Sequence, residues 1–357
     1  MDSTHQRLVG LDVFRGLCVF GMIVLLNPGS WEAIYPQLAH VSWDGLTFAD
    51  IVFPLFLFIL GVAIPYSLSK AKEYGPHILL GKIFRRSIIL FGLGFILSAL
   101  SFTGLSALRI MGVLQRIAIC YLLASLMFLR FSWRQILCWI VVLLVGYSSL
   151  MMLVLVPGYG FGVLTPEGNL AGYVDRLILG THTWASWGDP EGLLSTLGAL
   201  ATTLMGVVCG IFIRKNPHRR PTWMLLSGLC LIICGWIVSF WLPINKQLWS
   251  SSFVLVTGGI ALLVLAMCLV MDGALVLRPF QWLGLNPLAI YFASSVIGFI
   301  LWKIPVRESN LVSWNHSHVF SLLGGPVLGS LLYALTYALV WTLISYVLHR
   351  KKIYIRI

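Results

Sequence analysis

The chain has 357 residues, of which 59% are hydrophobic and only 10% are charged. So few charged residues cannot cover the surface of a water-soluble protein of this length, and a soluble enzyme is therefore excluded. The net charge of +12 is explained by a basic face against anionic lipid, without any nucleic-acid partner.

Apolar runs follow one another along the chain, each close to the roughly 20 residues that cross a hydrocarbon core as a helix. Backbone groups in lipid must be hydrogen-bonded within their own segment, so each run is predicted to be a helix. The sequence predicts an all-α, polytopic membrane helix bundle of about ten transmembrane helices, with 1–357 as one domain and no metal site. The runs are 12–30, 46–69, 85–104, 108–129, 135–156, 193–213, 222–242, 252–271, 282–304 and 323–348.

The distribution of positive charge predicts the orientation of the bundle. Of the 24 Lys and Arg residues, 18 fall in segments that share a side with the N-terminus. Because short cytoplasmic connections are enriched in Lys and Arg, both termini are predicted to be cytoplasmic. Asp12 and Arg15 lie at the cytoplasmic end of the first helix, three residues apart and hence on one helix face. They form either an interfacial ion pair or, with Arg7, a site for an anionic ligand.

The second polar cluster lies at the outer boundary. Asn27 ends the first helix, His40 follows in a loop with aromatic neighbours, and Thr47 and Asp50 open the second helix with the spacing of a helix cap. A lone histidine at a membrane interface is usually structural. His40 has an amide and carboxylates nearby to orient it, which favours catalysis, because imidazole is suited to general-base work near neutral pH.

A buried cation and three weaker candidates complete the set. Arg116, in the outer part of the fourth helix, needs an anion, and either Asp50 or a phosphate is expected. In GLNP (284–287), Asn286 and Pro287 are predicted to kink the ninth helix and to line a pocket. For this segment and for GDPEG (188–192) and PINKQLWSS (243–251), loop capping is an equally good interpretation.

Seven ordered blocks of the sequence resemble the heparan-α-glucosaminide N-acetyltransferase family. The resemblance implies a bacterial-type member that lacks the luminal domain of the animal enzyme and lies in the bacterial inner membrane. It also implies that His40 is the catalytic histidine and that Asn27 assists it. The blocks are LDVFRGLCVFGMIVLLNPG, HVSWDGLTFADIVFPLFLFILG, RIMGVLQRIAICYL, GYVDRLILGTHTW, DPEGLLSTLGALATTLMGVVCG, PINKQLWSSSFVLVTGG and GLNPLAIYF.

The implied reaction is transfer of an acetyl group from cytoplasmic acetyl-CoA to the amine of a terminal glucosamine-type sugar across the membrane. CoA is a polyanion that needs a cationic passage, for which Arg7, Arg15, Arg86 and Arg116 are the candidates, with Asp12, Asp50 and Asn286 in supporting roles. Membrane lipid, acetyl-CoA and an amino-sugar acceptor are the expected partners, and a homodimer is the candidate assembly. An amino-sugar transporter is the alternative function, and another acyl group or an O-linked acceptor is a third.

Overall fold

The structure of the chain is a computed structural model that describes residues 8–71, 76–101, 108–215, 220–271 and 273–355. A short antiparallel pair, β1 (Pro305–Val306) and β2 (Ser309–Asn310), interrupts a chain that is otherwise helical. The helices are α1 Val9–Leu26, α2 Phe48–Ala71, α3 Pro76–Ser101, α4 Val113–Arg130, α5 Trp133–Leu153, α6 Leu170–Leu179, α7 Thr196–Lys215, α8 Arg220–Val238, α9 Ser251–Val270, α10 Arg278–Leu285, α11 Pro287–Lys303, α12 Leu311–Asn315 and α13 Gly325–Arg350.

The prediction of an all-α membrane bundle is confirmed. Within the described residues, nine helices are long and apolar enough to cross a membrane: α1 to α5, α7 to α9 and α13. The predicted ninth span, 282–304, is wrong as a single helix, because α10 and α11 meet at an angle of 79°. Pro287 has no backbone N–H and disfavours helical geometry at the preceding residue. Asn286 accordingly has φ −130° and ψ 48°, so the predicted kink is a complete break.

The bundle has two ends, which we name by their residues. The His40 face is the end at which α1 ends and α2 begins, and the opposite face is the end at which α1 begins and α2 ends. α11 runs between them, since Asn286 hydrogen-bonds Ile353 beyond α13, while Lys303 approaches the carbonyl of Leu100 near the end of α3. With α11 as a shorter passage, ten helices of the described residues run between the two faces.

Close backbone contact holds α2 against α7. A Cβ atom added at Gly61 would lie 2.0 Å from the carbonyl oxygen of Thr203, and one at Gly206 would lie 2.0 Å from that of Phe58. No side chain fits at either position, so the two helix backbones touch directly. Such small-residue contacts are how helices gain packing energy in lipid, where burial of apolar surface drives association weakly.

Candidate active site on the His40 face

The centre of the His40 face is a contact between an imidazole, a carboxylate and an amine. His40 Nδ1 lies 2.8 Å from Asp50 Oδ1 and 2.9 Å from Lys246 Nζ. Lys246 Nζ is 3.4 Å from the same carboxylate oxygen. The carboxylate is fully buried and the amine nearly so, whereas 45% of the His40 side chain is exposed. The imidazole therefore presents an accessible ring on a buried ionic support.

The position of Asp50 follows from the start of α2. Thr47 precedes the helix, and Asp50 Oδ2 accepts hydrogen bonds from the Thr47 backbone N–H (3.1 Å), the Thr47 hydroxyl (2.8 Å) and the Val41 N–H (3.3 Å). A carboxylate at the third helical position that reaches back to the cap is a common helix start. With Oδ2 occupied by these donors, Oδ1 is the oxygen left for His40 and Lys246.

Lys246 is held by the loop before α9. The neighbouring Asn245 donates to Asp44 Oδ1 (3.0 Å) and accepts from the Leu248 N–H (2.8 Å), and its own N–H donates to Ser250 Oγ (3.1 Å). These bonds tie this loop to the one that carries His40. Burial lowers the pKa of Lys246, although the Asp50 and Glu191 carboxylates oppose the shift. The amine therefore gives up its proton more easily than an ordinary lysine.

A second ionic cluster lies behind the first. Arg109 binds Asp189 with two hydrogen bonds, Nε to Oδ2 at 2.8 Å and Nη2 to Oδ1 at 2.5 Å, and it also binds Glu191. Burial alone would lower the pKa of Arg109, but the two carboxylates outweigh it and raise that pKa. Burial alone would raise the pKa of Glu191, but attraction to Arg109, and after it to Arg116 and Lys246, lowers it. Glu191 therefore couples the two clusters electrostatically.

Asp175 on α6 fixes the loop that carries these carboxylates. Its two oxygens accept from the backbone N–H groups of Asp189 (3.3 Å) and Leu193 (2.8 Å). Its side chain is almost entirely buried. Burial raises the pKa of Asp175 to about 6, against the effect of these two hydrogen bonds. The loop conformation thus depends on a carboxyl group that titrates near neutral pH.

Arg116 is fully buried at the start of α4. The expectation that it pairs with Asp50 is wrong. Arg116 donates instead to the carbonyl of Gly192 (3.2 Å) and to Ser195, and its guanidinium lies 4.9 Å from the centre of the Trp249 ring. The reason is direction: Arg116 faces the start of α7, whereas Asp50 faces the loop before α9. Its predicted role toward a phosphate stays a prediction.

Asn27 occupies a separate place on the same face. It is almost entirely buried at the end of α1, and its Nδ2 donates to the carbonyl of Ile23 at 2.9 Å. In the described part of the chain its Oδ1 accepts no hydrogen bond, and Asn27 forms none with His40. Asn27 also lines a cavity of about 440 Å³ that is bounded by α1, α3, α4 and α11. A cavity of this size is typical of small-molecule sites.

The remaining predicted residues lie toward the opposite face. Arg15 pairs with Asp12 at 3.0 Å, as the spacing predicted. Arg86 stacks on Tyr121, with 4.6 Å between the guanidinium carbon and the ring centre. Asn286 donates to the Ile353 carbonyl (3.1 Å) and accepts from the Ile355 N–H (2.7 Å), so it holds the segment after α13. Arg7 lies outside the described residues.

Lys246 is the residue that the sequence argument missed as a partner of His40, and Arg109, Asp189 and Glu191 were missed as an ionic cluster. All four lie on the His40 face, and Lys246, Asp189 and Glu191 fall in segments that the sequence marked as weaker candidates. A usable signal was present: a lysine in a short connection between two spans has few places to find a counterion. Pairing it with Asp50 required the packing of α2 against the loop before α9.

Comparison with known proteins gives a consistent result. Residues 7–164 match the family model described as heparan-alpha-glucosaminide N-acetyltransferase, catalytic. The human protein named heparan-alpha-glucosaminide N-acetyltransferase is 30% identical over 427 aligned positions, covering 100% of this chain. The mouse protein of the same name is 29% identical and covers 99% of the chain. The chain spans 61% of the length of each of these relatives. The resemblance carried by the seven sequence blocks is thereby confirmed: the chain is similar, along its whole length, to the heparan-α-glucosaminide N-acetyltransferases.

Proposed function

We propose that this chain is a transmembrane acetyltransferase that moves an acetyl group from cytoplasmic acetyl-CoA to the amine of a terminal glucosamine-type sugar on the His40 face. The observation that carries the proposal is the contact of an accessible His40 with a buried Asp50 and Lys246. The names of the similar human and mouse proteins support the same class of reaction.

His40 acts as the general base. An ionised Asp50 can only accept hydrogen bonds, so the contact with Asp50 places the ring hydrogen on Nδ1 and leaves the lone pair on Nε2. Nε2 takes the proton of the acceptor amine as the amine nitrogen bonds to the acetyl carbonyl carbon. The C–S bond then breaks, and His40 returns the proton to the departing thiolate. The products are the N-acetylated sugar and CoA thiol.

Lys246 supports the imidazole together with its carboxylate. Its amine lies 2.9 Å and 3.3 Å from the two ring nitrogens. The same amine lies 3.4 Å from Asp50 Oδ1, so it balances the charge of the carboxylate that receives the Nδ1 hydrogen of His40.

Asn27 stabilises the oxyanion that forms when the amine attacks the thioester. Its Nδ2 has two hydrogens, of which the bond to Ile23 uses one. A neutral amide donor suits this task, and such donors typically contribute about 3–4 kcal/mol to the transition state. The burial of Asn27 strengthens the interaction because little water competes for the second hydrogen.

The donor is proposed to enter from the opposite face. Arg15 and Arg86 lie toward that end, and guanidinium groups bind phosphate oxygens well. The excess of Lys and Arg there supports a cytoplasmic position for this face and for both termini, and we propose a bacterial inner membrane as the location of the chain. Acetyl-CoA is the co-substrate. The candidate assembly, a homodimer, is checked in detergent by light scattering of the purified chain.

The test uses purified protein in detergent with acetyl-CoA labelled in the acetyl group and glucosamine as acceptor. We expect labelled N-acetylglucosamine from the native chain and none above background from the His40→Asn variant. His318→Asn is the matched control, because His318 is an exposed histidine in the π-helical segment His316–Phe320 on the same face. Undiminished activity of His40→Asn would refute the assigned role. Saturable glucosamine uptake into liposomes without acetyl-CoA would favour the transporter instead.

A further inference from the structure

The cavity beside Asn27 has no role in the proton transfer described above. The chemistry of its walls nevertheless indicates which class of ligand it can bind. It opens on the His40 face, where the rims formed by Trp31 and Trp184 are more than half exposed. It extends inward along α3, α4 and α11 as far as Gln115 and Ser98. A ligand that enters here comes from the side on which His40 is accessible.

The charge of the cavity excludes an anionic ligand. Arg109 is the one ionic residue among the described residues of its wall, and its guanidinium is already bound to Asp189 and Glu191. A phosphate group in the cavity would therefore meet a guanidinium whose charge is already balanced by two carboxylates through Nε and Nη2, and it would lose its hydration with little compensation. The nucleotide phosphates of CoA do not fit here, whereas an uncharged polar molecule does.

The aromatic side chains indicate a ring with apolar faces. Trp302 and Phe299 on α11 line one wall, and Trp31 and Trp184 line the mouth. Indole rings combine a large apolar face with a polar edge, so they suit ligands that have both characters. A pyranose ring has such a surface, with C–H groups on its faces and hydroxyl groups at its rim. A volume of about 440 Å³ accommodates one or two such rings.

Gln115 supplies an unsatisfied amide at the inner wall. It is 1% exposed, and its Nε2 has no hydrogen-bond partner in the described part of the chain. The amide lies against Gly94 and Gly112: a Cβ atom at Gly94 would be 2.3 Å from Oε1, and one at Gly112 would be 2.9 Å from it. A buried amide without a partner is costly, and a sugar hydroxyl, which both donates and accepts, can satisfy it.

From these observations we infer that the cavity holds the sugar ring of the acceptor, with Trp302 against a ring face and Gln115 bound to a ring hydroxyl. The inference rests on the proposed function for the identity of the reacting amine. Asn27 connects the sugar cavity with the proposed reaction, because it lines the cavity and is also the proposed oxyanion donor. No carboxylate is found among the described residues that line the cavity, so we expect the neutral amine to bind there, which is the form that attacks a thioester.

The experiment compares Trp302→Leu and Gln115→Met with the control Trp241→Leu. Trp241 is 72% exposed on the same face and does not line the cavity. Met keeps the length of Gln without its amide. We expect the KM for glucosamine to rise about tenfold in the first two variants, with the KM for acetyl-CoA unchanged within twofold. The control should change neither constant. A rise in the KM for acetyl-CoA alone would overturn the inference, as would unchanged constants.

A second measurement needs neither a variant nor a reaction. Saturation of the aromatic protons of the native chain should transfer magnetisation to the ring C–H protons of N-acetylglucosamine, in the absence of acetyl-CoA. Absence of this transfer at millimolar sugar would overturn the inference. Transfer from a chain that forms no acetylated product would support the sugar site while refuting the proposed reaction. The sugar site and the proposed reaction can therefore be refuted independently of each other.

Discussion

The two faces of the bundle treat charge in opposite ways. On the His40 face Arg116 and Lys246 are buried, and Arg109 nearly so, together with the carboxylates of Asp50, Asp189 and Glu191. Toward the opposite face the described cations are partly or largely exposed, as with Arg15 and Arg85. The buried groups are held by loops that hydrogen-bond one another, whereas the groups toward the opposite face keep part of their side chains in contact with solvent.

This difference assigns the faces to different tasks. A fixed array of buried charges keeps its geometry when a neutral acceptor arrives, which is the requirement of a reaction centre. Exposed arginines on helix ends can adjust to a flexible polyanion, at the cost of ordering their side chains. The following changes test the contrast, beginning with the largest expected effect.

Removing the charge of Asp50 should abolish most of the acetyltransferase activity that we propose for the His40 face. Asp50→Asn leaves Lys246 buried beside a neutral amide and no longer fixes the hydrogen of His40 on Nδ1. General-base catalysis typically contributes about 10²–10⁴-fold in rate, and we expect a loss of that order in kcat with labelled acetyl-CoA. Asp44→Asn is the control, because Asn can still accept the hydrogen bond from Asn245. A loss below tenfold in Asp50→Asn would show that Asp50 does not orient the base.

Breaking the ionic cluster of Arg109, Asp189 and Glu191 should lower the free energy of unfolding more than it lowers the reaction rate. Glu191→Gln leaves Arg109 with only Asp189 and removes a counter-charge from Arg116 and Lys246. Loss of one partner from a buried ion pair costs about 3–5 kcal/mol, and the remaining carboxylate places this variant at the lower end. Thermal unfolding in detergent measures the effect. Glu167→Gln, an exposed glutamate of the same connection, should leave the Tm unchanged.

The stability of the His40 face should depend on pH through Asp175. Its pKa in the folded chain is raised to about 6, above the value of about 3.9 for an unfolded aspartate. The folded chain thus binds the proton more tightly, so this stabilisation is present below about pH 4 and is lost as the pH rises through 6. The change amounts to at most about 3 kcal/mol. The free energy of unfolding is measured for the native chain and for Asp175→Asn from pH 4 to 7. We expect the native chain to lose stability relative to the variant up to about pH 6. A difference that stays constant with pH would contradict the assignment.

The smallest effect is expected on the opposite face. Arg86→Gln removes one partly buried cation from the proposed donor passage and one stack on Tyr121. A charged hydrogen bond to phosphate is worth about 1.5–3 kcal/mol, and at the lower end of this range the KM for acetyl-CoA should rise about tenfold. The neighbouring Arg85→Gln serves as the control and should change it less than twofold. Equal effects would mean that general positive charge, rather than Arg86, attracts the donor.

The sequence was sufficient to predict the long membrane-spanning helices and to bring His40 and Asp50 together, but it did not predict the contact of Lys246 with them. Spans are readable because their length is fixed by the bilayer, and His40 and Asp50 are readable together because only ten residues separate them. Lys246 is 206 residues from His40, and Glu191 is 82 residues from Arg109. Contacts over such distances depend on how helices pack, which a single sequence does not state. The break at Asn286 was predicted only as a kink: Pro287 is a local signal that marks the position of the bend, but it does not state the 79° angle between α10 and α11.

The backbone contact between α2 and α7 bears on how the bundle can move. If α2 slid along α7 by one helical turn, Gly61 and Gly206 would leave the carbonyls they now face, and residues with side chains would be driven against them. Rocking of one half of a transporter against the other needs interfaces that slip, and the contact between α2 and α7 is interlocked. The helix that carries Asp50 is held at its middle, so α2 and α7 would move as one unit in any rearrangement of the bundle, and Asp50 would keep its position relative to α7.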